Sequence, residues 1–253
     1  MRLAALVGSA VGYLTLYRVS ALVWERSPAR ALTFLRRWSV AAWRWLGLEV
    51  RADGAPFPDP CVYVANHRSY LDVPVLAGVL GASFMSRADV AGWWVVGAAA
   101  RLTGAVFVDR DRPHGRVRAA RALVHRLASG SVVVFPEGTT GGERLPGPFH
   151  PGLFRLLHRV RVPVVPVTVR YDDRRAYWTD ESGMATHLWL RVLAASRLTA
   201  AVHVGAALDP RAEADAESLA RSVYRAVCRP IEDGGELVAR PETHVSGRSQ
   251  TRA

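Results

Sequence analysis

Two residues with complementary chemistry, His67 and Asp72, stand five positions apart directly after a short apolar segment. Histidine is the usual general base near neutral pH, and a neighbouring carboxylate fixes its tautomer and stabilises the imidazolium that forms. If the chain turns and Asp72 begins a helix, this pair could deprotonate a hydroxyl that attacks an activated carbonyl. The spacing alone also arises by chance, and the alternative is that His67 caps a turn and Asp72 caps a helix.

A second polar cluster, Glu137-Gly138-Thr139-Thr140, follows another apolar segment that ends at Phe135. In open α/β sheets, ligands bind outside the carboxyl ends of the strands. Both clusters occupy that position, so we expect them to form one shared site. If the carbonyl compound is already activated, as in a thioester, no nucleophilic serine or cysteine is needed.

Four blocks in a fixed order extend this pattern over residues 61–169. Two are the clusters around His67 and Glu137, and a third is the apolar run 164–167. The remaining block has four residues at defined intervals: Arg87, Val90, Gly97 and Arg110. Together the blocks resemble the 1-acylglycerol-3-phosphate acyltransferase (lysophosphatidic acid acyltransferase) family of glycerolipid acyltransferases.

The resemblance implies transfer of a fatty acyl group from acyl-CoA or acyl carrier protein to the free hydroxyl of 1-acyl-sn-glycerol-3-phosphate, giving phosphatidic acid. By position, His67 would be the general base and Asp72 its orienting carboxylate. Five residues would bind the lyso-lipid acceptor: Glu137, Gly138 and Thr139 its glycerol-like part, and Arg87 and Arg110 its phosphate. No metal and no bound cofactor are implied.

The sequence departs from the family at two positions. Val90 replaces an aromatic residue, and Thr140 stands where the family commonly has an arginine, so it cannot supply that cation to a phosphate. The Glu-Gly-Thr-Thr form resembles a branch that includes lyso-ornithine-lipid acyltransferases, and another lyso-lipid is therefore the alternative acceptor. A non-catalytic membrane lipid-binding module is the alternative of another class, against which the intact His67–Asp72 pair argues.

Composition favours a membrane surface as partner. Half of the 253 residues are hydrophobic, the formal net charge is +11, and all 33 basic residues are arginine. A basic, apolar chain with 8 tryptophans suits an anionic membrane. We expect no nucleic-acid partner, because the chain has no aromatic–basic RNA motif, recognition-helix signature or zinc-ligand spacing. Cys61 and Cys228 form no Cys-x-x-Cys pair and indicate a reducing compartment.

Two helical segments precede the motifs. Residues 3–23 are mostly apolar and near the length that spans a bilayer, although Arg18 interrupts them. Whether they span the membrane, lie on it or form a signal peptide stays open. Residues 29–48 place Trp38 and Trp45 on one helical face beside an arginine stripe, and a core-packing helix is the alternative. We expect a membrane-associating hairpin, which locates the protein at the cytoplasmic face of the cell membrane as a peripheral or monotopic protein.

Strands alternate with helices in the rest of the chain. The pattern predicts strands at 61–65, 105–108, 131–135, 164–169 and 198–204, and helices at 72–80, 116–127, 153–160 and 212–228. Pro163 and Pro166 favour an edge or bulged position for the strand at 164–169. The alternation predicts an α/β fold with a helix-flanked, largely parallel mixed sheet. We divide the chain into the hairpin (1–50), the acyltransferase catalytic domain (51–232) and a polar tail (233–253) that we expect to be disordered.

Overall fold

The computed structural model describes residues 1–24, 27–109, 112, 114–142, 145–179 and 183–233. Its strands are Leu48–Asp53 (β1), Val62–Ala65 (β2), Ser83–Arg87 (β3), Val106–Val108 (β4), Val132–Val134 (β5), Val164–Tyr171 (β6) and Leu198–Val204 (β7). Its α-helices are Arg2–Ser20 (α1), Pro28–Leu46 (α2), Asp72–Leu80 (α3), Trp94–Leu102 (α4), Gly115–Leu127 (α5), Pro151–Val160 (α6), Met184–His187 (α7) and Ala216–Glu232 (α8). Arg110 and the predicted tail, apart from Asp233, lie outside the described residues.

The strands form one mixed sheet that is largely parallel, in the order β1-β7-β6-β2-β5-β3-β4. The five strands from β6 to β4 run in one direction, whereas β7 is antiparallel to β6 and β1 is parallel to β7. This confirms the predicted fold class. The sequence analysis predicts neither β1 nor β3, and it extends the second helix to residue 48, where β1 already begins.

The predicted edge position of the strand at 164–169 is wrong, because β6 lies inside the sheet between β7 and β2. Pro166 pairs with Val64 of β2, and on its other side its carbonyl oxygen accepts the N–H of Gly205 at 2.9 Å. β7 has already ended at Val204, so the N–H that proline lacks is not needed for the ladder between these strands. An interior strand therefore tolerates this proline.

Two apolar cores lie on opposite faces of the sheet. Alternate residues of β2 enter them, with Tyr63 and Ala65 in one core and Val62 and Val64 in the other. The first core includes α3 and the end of α2, and the second includes residues of α5, α6 and α8. The strand that leads into the predicted site is therefore held from both faces.

The first two helices form an antiparallel pair. Arg2 Nε donates to the carbonyl oxygen of Trp45 at 2.9 Å near one end, and the Tyr17 ring meets Phe34 edge-on near the other, with 5.5 Å between ring centroids. Among the described residues, α1 is the one helix long and apolar enough to cross a membrane by length and composition. It leaves an apolar side exposed and carries the exposed Arg18 near its end.

The second helix packs on α3. Trp43 Nε1 donates to the carbonyl oxygen of Pro74, and Arg36 Nε donates to that of Gly78, both at 3.1 Å. Gly78 lets the two helices approach, because a Cβ at this position would overlap the Trp43 ring. Since α3 begins at Asp72, the helical pair contacts the element that carries the predicted orienting carboxylate.

Candidate active site

Asn66 anchors the loop that follows β2 to the neighbouring strand. Its side chain is fully buried, its amide nitrogen donates to the carbonyl oxygen of Val169 at 2.9 Å, and its Oδ1 accepts the N–H of Val169 at 2.7 Å. The side chain thus mimics a peptide group and continues the pairing of β2 with β6 beyond the end of β2. His67, the next residue, leaves the sheet from a fixed point.

His67 and Asp72 form the pair expected from their spacing. His67 Nδ1 lies 2.8 Å from Asp72 Oδ2. Asp72 is the first residue of α3 and is fully buried, whereas the His67 side chain is 20% exposed. Because Nδ1 faces a carboxylate, we assign the ring proton to it, which leaves the lone pair on Nε2 at the other side of the ring. The arrangement can therefore accept a proton from a bound hydroxyl.

Both oxygens of the Asp72 carboxylate have donors. Besides the His67 ring, Oδ2 accepts the backbone N–H groups of Arg68 at 2.6 Å and Ser69 at 3.0 Å. Oδ1 accepts the hydroxyl of Tyr171 at 2.7 Å. Burial, and then the neighbouring Asp72, raise the pKa of Tyr171 well above its usual value, so the phenol stays protonated and donates. Donors on both oxygens hold the carboxylate in one orientation.

An aromatic ring supports the imidazole from the side. The rings of His67 and Phe135 are stacked, with 4.0 Å between centroids and 14° between planes. Phe84 of β3 stacks on the same phenylalanine at 6.4 Å. Stacking fixes the plane of the imidazole while Asp72 fixes its Nδ1 edge, so the ring is held in the orientation that directs Nε2 away from Asp72.

Glu137 joins the two predicted clusters. Its Oε1 accepts the backbone N–H of His67 at 2.8 Å, and its Oε2 accepts that of Gly147 at 2.9 Å. The side chain is 5% exposed, and Arg68 Nη1 lies 4.0 Å from Oε2. The clusters thus meet at one edge of the sheet. Because both carboxylate oxygens bond to backbone, Glu137 helps to place His67, and its contact with an acceptor stays a prediction.

Glycines allow the second cluster to run close to the first. Gly138 has φ +73°, a backbone conformation that favours glycine. Gly141 donates its N–H to the carbonyl oxygen of His67 at 2.8 Å, and a Cβ there would lie 2.8 Å from Arg68 Nη1. A side chain at Gly141 would therefore push against a buried guanidinium group. The loop can pass over the backbone of His67 only without that side chain.

The segment after β6 braces the loop between β2 and α3 that includes His67, and the sequence analysis does not identify this role. Trp178 donates its N–H to the carbonyl oxygen of Arg68 at 3.0 Å. The hydroxyl of Tyr70 lies 3.0 Å from His187 Nδ1, and His187 Nε2 lies 2.9 Å from the carbonyl oxygen of Tyr177. Burial lowers the pKa of His187, which fits a neutral ring that donates through Nε2 and accepts at Nδ1. These partners are far apart in sequence, so no local pattern predicts them.

Of the two predicted phosphate ligands, Arg87 lies among the described residues. Arg87 ends β3, two strands away from β2 and so roughly 10 Å across the sheet. Its side chain is 67% exposed and pairs with Asp89 at 3.1 Å. Thr139 is exposed, and Thr140 Oγ1 is buried with no hydrogen-bond partner among the described residues. In the part of the chain that the structure describes, no group of three or more His, Cys, Asp and Glu side chains could hold a metal ion.

The chain is similar to known acyltransferases in sequence. The family model described as Acyltransferase matches residues 49–170, which include both clusters. The lyso-ornithine lipid O-acyltransferase of Pseudomonas aeruginosa is 32% identical over 216 residues, which cover 80% of this chain and 82% of that protein. The 1-acyl-sn-glycerol-3-phosphate acyltransferase of Neisseria gonorrhoeae is 27% identical over 218 residues, which cover 84% and 85% respectively.

A solved structure has the same fold. The crystal structure of the 1-acyl-sn-glycerophosphate (LPA) acyltransferase PlsC from Thermotoga maritima superposes with a TM-score of 0.64 at 20% sequence identity. The match covers 96% of this chain and 100% of that one. The identity and coverage of the relatives show that the chain belongs to the acyltransferase family that includes the 1-acyl-sn-glycerol-3-phosphate and lyso-ornithine lipid acyltransferases.

Proposed function

We propose that the protein transfers a fatty acyl group from acyl-CoA or acyl carrier protein to the free hydroxyl of 1-acyl-sn-glycerol-3-phosphate, giving phosphatidic acid. One observation carries the proposal: His67 Nδ1 is held 2.8 Å from the buried carboxylate of Asp72, while the ring remains partly exposed. A module that only binds lipid has no need of such a base.

The reaction needs only these two side chains for its proton transfers. His67 Nε2 takes the proton of the acceptor hydroxyl as the oxygen bonds to the thioester carbonyl carbon, and Asp72 stabilises the imidazolium. When the tetrahedral intermediate collapses, the carbon–sulfur bond breaks. The imidazolium then returns its proton to the leaving thiolate, so the products are an ester and a free thiol.

The proposed acceptor carries a phosphate group. Arg87, at the end of β3, and Arg110, two residues after β4 in the sequence, would be its cationic partners. A second candidate is lyso-ornithine lipid, because two relatives with that name are 32% and 31% identical over 80% and 78% of the chain, whereas the 1-acyl-sn-glycerol-3-phosphate acyltransferase of Neisseria gonorrhoeae is 27% identical over 84%. Thr140, in place of the usual arginine, also favours an acceptor that demands less positive charge.

We also propose that the protein works at the cytoplasmic face of the cell membrane. The support is the apolar exposed side of α1 together with the net charge of +11, which suits anionic lipid. α1 runs back along α2, which packs on α3, so α1 lies against the rest of the protein rather than extending away as an isolated span. This geometry favours a peripheral or monotopic seat.

The reaction is tested with the purified protein, a lyso-lipid acceptor and a thioester donor, by measuring thiol release and acylated product. His67→Ala is expected to abolish transfer without loss of folding. The matched control is His203→Ala, because His203 Nδ1 contacts Asp53 Oδ2 at 3.0 Å in an exposed histidine–aspartate pair between β7 and β1. Substantial transfer by a folded His67→Ala protein would remove this residue from the mechanism.

The acceptor is tested with a panel of lyso-lipids and both donor types. If the acceptor carries a phosphate, Arg110→Ala should lower kcat/KM by about 10- to 150-fold, the factor for one charge-assisted contact worth about 1.5–3 kcal/mol. Arg221→Ala is the control, because Arg221 is an exposed arginine of α8 that pairs with Glu217 of the same helix. Faster turnover of lyso-ornithine lipid, together with indifference to Arg110→Ala, would establish the second candidate instead.

A further inference from the structure

We infer that Tyr171 is a positioning residue for catalysis: its hydroxyl holds one oxygen of Asp72 so that the other oxygen stays directed at the imidazole of His67. The inference rests on the proposed roles of His67 and Asp72. Tyr171 is the last residue of β6 and stands 99 positions after Asp72, outside the motif blocks.

The distribution of donors around Asp72 gives Tyr171 its importance. Oδ2 accepts three N–H groups, all from residues of the loop that includes His67, whereas Oδ1 accepts the Tyr171 hydroxyl as its one donor among the described residues. Tyr171 is 5% exposed and Asp72 is fully buried, so water has little access to this contact. Without the hydroxyl, Oδ1 would be a buried carboxylate oxygen lacking this donor, and rotation of the carboxylate would be less restricted.

The position of Tyr171 is itself fixed by the sheet. Val169, two residues earlier on β6, exchanges both hydrogen bonds with the side chain of Asn66. Residues 169 and 171 face the same side of the strand. The exchange therefore fixes the position of Tyr171 relative to the loop that includes His67. Tyr177 adds a brace, because its hydroxyl donates to the carbonyl oxygen of Tyr171 at 3.2 Å.

The test compares Tyr171→Phe with Tyr63→Phe in the full chain. Tyr63 is also a buried tyrosine whose hydroxyl meets backbone, that of Phe57 at 3.0 Å, and it does not contact Asp72. Tyr171→Phe should lower kcat about tenfold with little change in KM. Tyr63→Phe should leave both kcat and KM close to those of the wild type.

A second variant covers the case in which Tyr171→Phe does not fold. Replacing Tyr171 by 3-fluorotyrosine keeps the hydroxyl as a donor to Asp72, so kcat should stay close to that of the wild type. Unchanged kcat in a folded Tyr171→Phe protein, an equal effect of Tyr63→Phe, or a large loss of kcat in a folded 3-fluorotyrosine protein would overturn the inference. If His67→Ala retains activity, the proposed function fails; if His67→Ala is inactive and Tyr171→Phe is normal, only the role of Tyr171 fails.

Discussion

Replacing Asp72 by asparagine should separate the charge of the carboxylate from its hydrogen bonds. Oδ2 must remain an acceptor, because three N–H groups point at it. Among the described residues, Oδ1 contacts the Tyr171 hydroxyl, which can rotate and accept instead of donating. Asparagine therefore fits with its carbonyl oxygen in the place of Oδ2 and its amide nitrogen towards Tyr171. The fold and the His67 tautomer are both expected to survive.

What Asp72→Asn removes is the negative charge beside the imidazolium. Two unit charges about 4 Å apart interact by about 4 kcal/mol at an effective dielectric constant of about 20, and a hydrogen bond to a charged group is worth about 1.5–3 kcal/mol. We therefore expect a loss of about 2–4 kcal/mol in transition-state stabilisation, or about 30- to 1,000-fold in kcat. Asp72→Ala is different, because it leaves three buried N–H groups without this acceptor, at about 1–3 kcal/mol each.

The assay combines kcat, from thiol release at saturating lyso-lipid, with the thermal midpoint of each variant. Asp72→Asn should be folded and slow, while Asp72→Ala should lose much of the stability of the domain, which is about 5–15 kcal/mol in total. Turnover within threefold of wild type would show that Asp72 is only a helix-terminal acceptor. An asparagine variant as unstable as the alanine variant would refute the proposed rotation of the Tyr171 hydroxyl.

Two further predictions follow from buried contacts near the site. Glu137→Gln places an NH₂ group against one of two backbone N–H groups. The substitution should therefore lower the free energy of unfolding by about 1–3 kcal/mol, and it should lower kcat because His67 is displaced. A normal unfolding free energy together with a normal kcat would contradict this prediction. Gly78→Ala should destabilise the protein by about 1–3 kcal/mol because the new methyl overlaps an indole of α2. Gly152→Ala is the control: its helical position has open space, and it should be neutral or stabilise by about 0.5–1 kcal/mol in the same denaturant titration.

The local part of the site is predictable because its signals are local. His67 and Asp72 are separated by one turn between a strand and a helix, and α3 does begin at Asp72 as the spacing predicts. The meeting of the two clusters also follows from sequence, because β2 and β5 are parallel neighbours whose carboxyl ends share one edge. The role of Glu137 does not follow, since the sequence cannot show that its oxygens bond to backbone.

The non-local parts are not predictable from one sequence. β1 and β3 contain polar residues and alternate poorly, and they become strands because a partner strand is present along their length. β6 tolerates Pro166 in the interior of the sheet because β7 ends before the position opposite this proline. A proline in the sequence does not show where the neighbouring strand ends. Tyr171 contacts Asp72 across 99 residues, so only the three-dimensional arrangement identifies it.

The packing of α2 on α3 has a mechanical consequence for the proposed function. The Trp43 indole donates to the first turn of α3, and Arg36 donates near the end of that helix, so α2 holds α3 at two points. Asp72 is the first residue of the same helix. If α1 and α2 seat the protein on the membrane, the carboxylate proposed to orient His67 is fixed to that seat through one short helix, α3. The packing of these helices then sets the distance between the bilayer surface and His67. That distance determines how far a lyso-lipid must move out of the bilayer to reach the proposed base.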